Sequence, residues 1–415
     1  MTPAAVSLVA LVAAILLSCV SRVNVGVLAV ALAWLVGSLA GSGADLVTAS
    51  FPGGLFLTLA GVTLLFALAE VNGTLERVAV AALRLARGDS RVVPWVLFLI
   101  ASALASAGPG AIASVALLAP MGMAVGRRAG LSPFLSALVV VNGANSGNLS
   151  PVSAVGIVAN TKLAEAGLGG HELKVWTANL LASLLVTAVA YLALGGHRTR
   201  GATADAAAPE SESSALSRAQ ALTLLVVGAW IVGVVVWRVP LGASAFTAAL
   251  VLILARAADE AAAFKRLPWS AVVMVTGMSL LVTVVEKTGG MELFTTLVAR
   301  FATPGSVNGL IALVTGLIST YSSTSGVVLP TFLPTVPGLV RELGGGDPLA
   351  IALSIDVGAS LVDASPLSTL GALCVATVSG EQANDLFRKL MIWGLSMSLA
   401  GAVLCQLFAG PFARL

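Results

Sequence analysis

Charged residues are scarce in this chain. Lysine, arginine, aspartate and glutamate make up only 10% of its 415 residues, whereas 58% of the residues are hydrophobic. Soluble domains carry about 25% charged residues, so this composition excludes an ordinary soluble globule and predicts a membrane protein with several spans. The formal net charge is only +3, and the basic residues are scattered among short loops. The sequence therefore gives no reason to expect a nucleic-acid partner.

Histidine and cysteine are also rare. The two histidines, His171 and His197, fall in predicted loops, which argues against a histidine-based metal or catalytic centre inside the membrane. The three cysteines, Cys19, Cys374 and Cys405, fall in apolar segments without paired or metal-like spacing. We interpret them as buried, unreactive thiols. An enzyme would need a nucleophile with a base, and the sequence shows no such set.

Apolar segments of spanning length recur in the same order in the two halves of the chain, and a helix needs about 20 such residues to cross a bilayer. The spans predicted for the first half lie at 4–20, 25–41, 53–71 and 174–195, and an amphipathic arm lies at 74–87. Those predicted for the second half lie at 219–237, 241–255, 269–286 and 388–410, with an arm at 289–302. No basic stretch precedes the first span, so we expect it to be retained rather than cleaved as a signal peptide.

Each half also contains a pair of short apolar arms joined by a turn. In the first pair, at 92–126, the turn is Gly108-Pro109-Gly110, with Ser106 as its one hydroxyl. In the second pair, at 306–340, the turn is a run of hydroxyl residues from Ser319 to Gly326. Arms of about 16 residues are too short for two full crossings. We therefore predict a re-entrant hairpin in each half, which enters and leaves the membrane on the same face.

A long apolar segment follows each hairpin, and the same polar pattern interrupts both. The segment at 132–163 contains Gly143-Ala-Asn-Ser-Gly-Asn-Leu-Ser-Pro-Val-Ser153, and the segment at 348–378 contains Gly358-Ala-Ser-Leu-Val-Asp-Ala-Ser-Pro-Leu-Ser368. Irregular backbone and polar groups survive at membrane depth where they are buried in protein or line a water-filled cavity. Matching breaks in two halves of a chain indicate an inverted-repeat transporter with its site near the bilayer midplane.

This pattern predicts the topology of the chain. The two inverted repeats would be residues 1–195 and 218–415, joined by a linker at 196–217. Five crossings in each half would invert the second repeat, and most of the 22 lysines and arginines then fall on one face. That face is cytoplasmic by the positive-inside rule. We therefore predict a cytoplasmic linker and external termini, in a bacterial-type inner membrane.

Oxygen-bearing side chains in the breaks and at the second hairpin turn are candidates for binding a small anion and a cation. Hydroxyl and amide groups can hold carboxylate oxygens, and carboxylate, hydroxyl and carbonyl oxygens can hold a small hard cation. We predict substrate binding by Asn142, Asn145, Ser150, Ser153, Gly108, Gly110, Ser323, Thr324, Ser325, Ser360, Ser365 and Ser368. We predict cation binding by Asp363, Asn148, Ser106, Ser322 and Asp356, with sodium at Asp363 and Asn148.

The stretches that begin at Asn142, Ser322 and Asp356 resemble those of the MatC-type dicarboxylate (malonate) carriers. These carriers are similar to the divalent anion:sodium symporters of the ion transporter superfamily, and the resemblance covers nearly the whole chain. It implies a homodimer in which each protomer has a scaffold and a mobile transport domain that works as an elevator. It also implies that hairpin tips and helix breaks jointly bind a dicarboxylate and sodium.

We therefore expect a secondary active transporter that imports a small dicarboxylate, malonate-like or C4, together with a cation, and no cofactor besides that coupling ion. Two other functions stay open. A cation/proton antiporter could use Asp363 as its exchanging group, and a membrane-embedded enzyme is the less favoured alternative. The residues alone do not identify the carboxylate or choose between sodium and a proton.

Overall fold

The computed structural model describes residues 2–20, 23–39, 43–83, 91–196, 216–378 and 380–415, and within these ranges all regular structure is helical. The described helices that are long and apolar enough to cross a membrane are Gly53–Val71, Gly110–Arg128, Glu172–Ala193, Trp269–Lys287 and Glu381–Arg414. The chain is an all-helical, multi-pass membrane protein, as its composition predicts. Most of the predicted linker (197–215, with His197) and the end of the first arm (84–87) lie outside the described residues.

The helices follow the predicted order in both halves. In the first half they are α1 (Pro3–Val20), α2 (Val25–Leu39), α3 (Gly43–Ala49), α4 (Gly53–Val71), α5 (Thr74–Leu83), α6 (Val93–Ala107), α7 (Gly110–Arg128), α8 (Pro133–Gly147), α9 (Ala154–Glu165) and α10 (Glu172–Ala193). In the second half they are α11 (Arg218–Trp237), α12 (Leu241–Leu254), α13 (Glu260–Arg266), α14 (Trp269–Lys287), α15 (Gly290–Ala299), α16 (Val307–Tyr321), α17 (Leu329–Phe332), α18 (Val336–Leu343), α19 (Pro348–Leu361), α20 (Thr369–Val375) and α21 (Glu381–Arg414).

Some elements differ from the prediction. The helices α3 and α13 were not predicted, because seven residues are too few to display a helical period. The return arm α7 has 19 residues and is longer than the predicted 16, and α21 extends well beyond the predicted 388–410 at both ends. The predicted helix breaks, by contrast, lie where the polar pattern places them, between α8 and α9 and between α19 and α20.

The return arm of the second hairpin is divided into short pieces. A π-helical turn (Thr324–Val328) precedes α17, and a 3-10 turn (Leu333–Thr335) separates α17 from α18. Pro330, Pro334 and Pro337 lie in this arm. Each proline lacks a backbone N–H and crowds the preceding turn, and three of them within eight residues divide this arm, whereas α7 contains only Pro120. The corresponding arm of the first hairpin, α7, is a single helix.

The two broken helices begin at equivalent polar caps. The Ser132 side chain accepts a hydrogen bond from the Leu135 amide at the start of α8. The Asp347 carboxylate accepts from the amides of Leu349 and Ala350 at the start of α19. A proline occupies the first helical position in both cases, where its missing N–H costs nothing. Local sequence therefore fixes where each broken helix starts.

The helices pack in two groups. In one group, α6, α7 and α10 pack on α8, α16 and α21 pack on α19, and α10 also contacts α19. In the other group, α2 packs on α14, α4 packs on α12, and α1 packs on α2. The groups meet where α4 contacts α9, where α14 contacts α17 and the π-helical turn, and where α1 contacts α16. The first group contains both breaks and both outgoing hairpin arms.

Closely approaching glycines join the helices of the second group. A Cβ atom at Gly277 of α14 would lie 2.3 Å from the Gly26 carbonyl oxygen of α2. A Cβ atom at Gly61 of α4 would lie 2.6 Å from the Gly242 carbonyl oxygen of α12. Gly26 and Gly242 occupy matching places in the two halves, as do Gly61 and Gly277. The α2–α14 and α4–α12 contacts therefore use equivalent residues with the roles of the halves exchanged.

We expect Gly277→Ala to destabilise the protein by about 1–3 kcal/mol. The added methyl group would overlap the Gly26 backbone and must push α2 and α14 apart. The measurement is the thermal midpoint of the purified protein in detergent. Gly228→Ala is the matched control, since a Cβ atom at Gly228 in α11 meets nothing within 4 Å. An equal loss of stability in both variants would contradict the close packing of α2 on α14.

Candidate functional site

The first break is a compact turn that is held by hydrogen bonds within it. Between α8 and α9, the Ser153 hydroxyl donates to the Asn148 carbonyl and accepts from the Gly156 amide at 3.1 Å. The Gly156 amide also donates to the Asn148 carbonyl at 3.0 Å. Ser153 is thus the N-cap of α9, and its position is fixed by bonds within the break.

The second break has the same construction. Between α19 and α20, the Ser368 hydroxyl donates to the Asp363 carbonyl and accepts from the Gly371 amide at 3.5 Å. Ser368 caps α20 as Ser153 caps α9. The serine at the centre of each break reaches the neighbouring hairpin: Ser150 donates to the Ser106 carbonyl at 2.7 Å, and Ser365 donates to the Thr320 carbonyl at 3.5 Å. Each break is therefore attached to the tip of its own hairpin.

Asn148 and Asp363 hold the hairpin tips from equivalent positions. The Asn148 Oδ1 atom accepts a hydrogen bond from the Ala111 amide at 3.1 Å. The Asp363 Oδ1 atom accepts from the Thr324 hydroxyl at 2.7 Å, and the same hydroxyl lies 2.6 Å from the Ser319 hydroxyl. The first tip thus offers a backbone amide where the second tip offers a pair of hydroxyls.

The two breaks also touch each other. The Asn145 side-chain amide donates to the Ser360 carbonyl, and these residues are 215 positions apart in matching places of the repeat pattern. The Asn179 side chain of α10 donates in turn to the Asn145 carbonyl at 2.6 Å. The breaks are therefore buried in protein and meet near the centre of the first helix group.

One cavity of about 570 Å³ lies between the second hairpin tip and the two breaks. The predicted site residues that line it are Asn148, Ser322, Ser323, Thr324, Ser325, Asp363 and Ser368. None of the described residues lining this cavity is lysine or arginine. The cavity thus combines one carboxylate with several hydroxyl groups and no basic side chain.

The other predicted site residues lie outside this cavity. They are Ser106, Gly108, Gly110, Asn142, Asn145, Ser150, Ser153, Asp356, Ser360 and Ser365. Gly108 packs closely on Phe66, where a Cβ atom would lie 1.9 Å from the ring. Gly110 lines a smaller cavity of about 230 Å³ that shares Asn148 and Ser325 with the first. Arg266, which is paired with Glu70, also lines the smaller cavity, whereas the described lining of the larger cavity includes no basic side chain.

The sequence pattern did not point to several residues at or near the site. Asn24 and Ser270 line the larger cavity, and the Asn24 side-chain amide donates to the Ser270 hydroxyl at 2.9 Å. Asn179 is fully buried against the first break. Asn179 carried a usable signal, since a lone amide within an otherwise apolar span often pairs with a neighbouring helix. Asn24 gave no such signal, because it falls at a predicted loop boundary.

Comparison with known proteins identifies the first part of the chain. Residues 1–148 match the family model of the dicarboxylate carrier protein MatC N-terminus. This match confirms the resemblance for residues 1–148, which include the first hairpin and α8. No curated protein sequence matches the chain.

Solved structures show the same fold at low sequence identity. Neisseria gonorrhoeae MtrF, described with a class of antimetabolite efflux pumps, is 13% identical with a TM-score of 0.55, over 90% of this chain and 84% of that chain. The Alcanivorax borkumensis YdaH transporter, described as having an unusual topology, is 15% identical with a TM-score of 0.53. The match covers 88% of this chain and 87% of that chain. The fold is therefore one that known membrane transporters adopt.

We expect Thr324→Val to destabilise the protein by about 1.5–3 kcal/mol, because the Asp363 carboxylate would lose its buried hydroxyl donor. Thr324→Ser keeps the hydroxyl and should retain most of the stability. The measurement is the thermal midpoint of each purified variant at one fixed salt concentration. If the serine variant loses as much as the valine variant, the hydroxyl does not support Asp363.

Proposed function

We propose that the protein is a secondary active transporter that imports a small dicarboxylate, malonate-like or C4, together with sodium. The match of residues 1–148 to dicarboxylate carriers supports the substrate class. The fold shared with MtrF and YdaH supports a transporter. The observation that carries the proposal is the cavity in which the second hairpin tip and both helix breaks present Asn148, Thr324 and Asp363.

The substrate would be held by hydroxyl groups rather than by a basic side chain. Ser322, Ser323, Ser325 and Ser368 line the cavity, and serine hydroxyls can donate to carboxylate oxygens. A cavity of about 570 Å³ is large enough for a small dicarboxylate with water. The Ala111 amide already donates to Asn148. The first tip would therefore contribute chiefly to the shape of the substrate site rather than a hydrogen bond to the substrate.

Electrostatics support a coupled cation. A bound dicarboxylate would bring two negative charges next to the Asp363 carboxylate, in a cavity where no described lining residue carries a positive charge. Like charges at short range in a poorly solvated site repel strongly. We place sodium at Asp363 and Asn148, whose side-chain oxygens reach the two hairpin tips. The ion would offset this repulsion and couple substrate binding to the sodium gradient.

An elevator movement is the proposed mechanism of transport. The helix group with both breaks and the outgoing hairpin arms would be the mobile transport domain, and the group joined by the α2–α14 and α4–α12 contacts would be the scaffold. The exchanged glycine contacts in the scaffold support the proposed inverted repeats at 1–195 and 218–415. A homodimer is part of the same proposal.

The larger cavity borders the predicted cytoplasmic side. Its lining includes Val23, Asn24 and Pro268, next to loops that carry basic residues. With external termini and a cytoplasmic linker, the structure would represent an inward-open state in a bacterial-type inner membrane. Substrate released from this state would enter the cytoplasm, which agrees with import.

Uptake into proteoliposomes tests the proposal. We expect labelled malonate or succinate to accumulate when sodium is higher outside, and to accumulate less when choline replaces sodium. Asp363→Asn should reduce sodium-driven uptake at least about tenfold, because a loss of about 1.4 kcal/mol of cation binding already gives that factor. Asp385→Asn is the matched control, since Asp385 is exposed and pairs with Lys389 on the surface of α21.

Three results would count against the proposal. Uptake by Asp363→Asn that keeps its rate and its sodium dependence would remove the assigned role of this carboxylate. Exchange of sodium for protons without carboxylate transport would favour an antiporter. Carboxylate release driven by an outward gradient, without uptake, would mean export, the direction named for the pumps of the MtrF class.

A further inference from the structure

A buried carboxylate without a partner lies in the second broken helix, away from the larger cavity. Asp356 of α19 is fully buried, and neither of its carboxylate oxygens accepts a hydrogen bond from the described residues. A buried anion is strongly unfavourable unless an opposite charge or several donors compensate it. Asp356 does not line either of the cavities beside the hairpin tips. The proposed substrate site therefore does not account for it.

Other buried oxygens that have no partner among the described residues lie where α8, α10 and α19 meet. Asn145, Asn179 and Ser360 are in direct contact, because Asn145 donates to the Ser360 carbonyl and Asn179 donates to the Asn145 carbonyl. Both amide nitrogens are used in these bonds, and the Oδ1 atoms of Asn145 and Asn179 are left without donors. The Ser360 hydroxyl likewise has no partner.

Helical spacing places Asp356 on the same face of α19 as Ser360, which belongs to this cluster. Asp356 and Ser360 are four residues apart on α19, so their side chains lie on one face of the helix, one turn apart. Ser183 stands in the same relation to Asn179 on α10, and its buried hydroxyl also lacks a partner. Leu353 and Val357 of α19 line a groove with Ala182 of α10, so the two helices face each other at this level.

The chemistry of these atoms fits a small monovalent cation. The set comprises a carboxylate, two amide oxygens and two hydroxyl oxygens, which are the ligands that hard cations prefer. A single positive charge would balance Asp356 and leave the buried site neutral. A proton on Asp356 would neutralise the carboxylate and supply one O–H donor, which leaves at least one of the two amide oxygens without a donor. A divalent ion would leave a net positive charge buried.

We infer that a sodium ion binds between α8, α10 and α19, coordinated by Asp356, Asn145, Asn179 and Ser360, with Ser183 beside them. This site is separate from the proposed cation position at Asp363, which lies in the cavity. Through Asn145 the ion would tie the first break to the second, since that residue already bonds to Ser360. The inference rests on the proposed function only for the role of this ion in transport, and the binding itself does not depend on it.

Sodium binding to purified protein without any carboxylate tests the inference. Thermal midpoints are measured against sodium chloride concentration, with choline chloride keeping the ionic strength constant. All proteins carry Asp363→Asn, which removes the carboxylate of the cavity. We expect this parent to be stabilised by sodium, because a ligand that binds only the folded state raises the midpoint. Adding Asp356→Asn should raise the half-saturating sodium concentration at least about tenfold.

Two further variants keep the test informative. Adding Asp347→Asn is the matched control, since Asp347 lies on the same helix but caps its start, and the sodium response should stay within about twofold of the parent. Adding Asn179→Ala should raise the half-saturating sodium concentration at least about threefold. This variant replaces Asp356→Asn in the test if the Asp356→Asn protein does not fold.

Either of two outcomes would overturn the inference: no sodium response in the Asp363→Asn parent, or an unchanged half-saturating concentration in the Asp356→Asn and Asn179→Ala variants. Failure of the proposed function is a different result. A protein that transports no dicarboxylate in proteoliposomes would still show the sodium response, and a working carrier without this site would lack it.

Discussion

A helix that stops in the middle of a membrane must find partners for its backbone groups without the help of water. This constraint shapes the centre of the molecule. In each break a serine, Ser153 or Ser368, bonds to a carbonyl of the same turn and caps the half-helix that follows. A second serine, Ser150 or Ser365, bonds to a carbonyl at the neighbouring hairpin tip. With the backbone satisfied in this way, Asn148 and Asp363 are left to reach the tips and the cavity.

The two half-sites share one construction and differ in chemistry. Asn148 meets a backbone amide of the first tip, whereas Asp363 meets a hydroxyl of the second. The charge and the hydroxyl groups of the larger cavity therefore come largely from the second half of the chain. The first half contributes the amide side chains of Asn24 and Asn148, and its glycine turn lines the smaller cavity beside the larger one. Two breaks of the same construction can thus line one cavity with different chemical groups.

Much of the fold could be predicted from the sequence, because hydrophobic length and the position of polar breaks are local properties. The span predicted at 53–71 and the helix start at Pro348 coincide with the structure. The site was harder to predict, because the sequence pattern shows which residues are polar but not which of their atoms are already bonded. Ser150 and Ser153 matched the pattern of ligands, yet their hydroxyls are occupied by the protein itself. Asn179 lies in a different helix, and its contact with the first break depends on how α10 packs on α8.

The contrast between the two return arms has a mechanical consequence. The single helix α7 contains one proline, Pro120, and distortion elsewhere along it would strain the helical ladder of hydrogen bonds. The arm that contains the π-helical turn, α17 and α18 lacks such a ladder at its junctions, because proline there removes donors. Swinging the serine-bearing tip away from Asp363 would therefore break few backbone hydrogen bonds. The glycine tip of the first hairpin, which the stiffer helix α7 supports, would stay in place while the serine-bearing tip moves towards it and away from it.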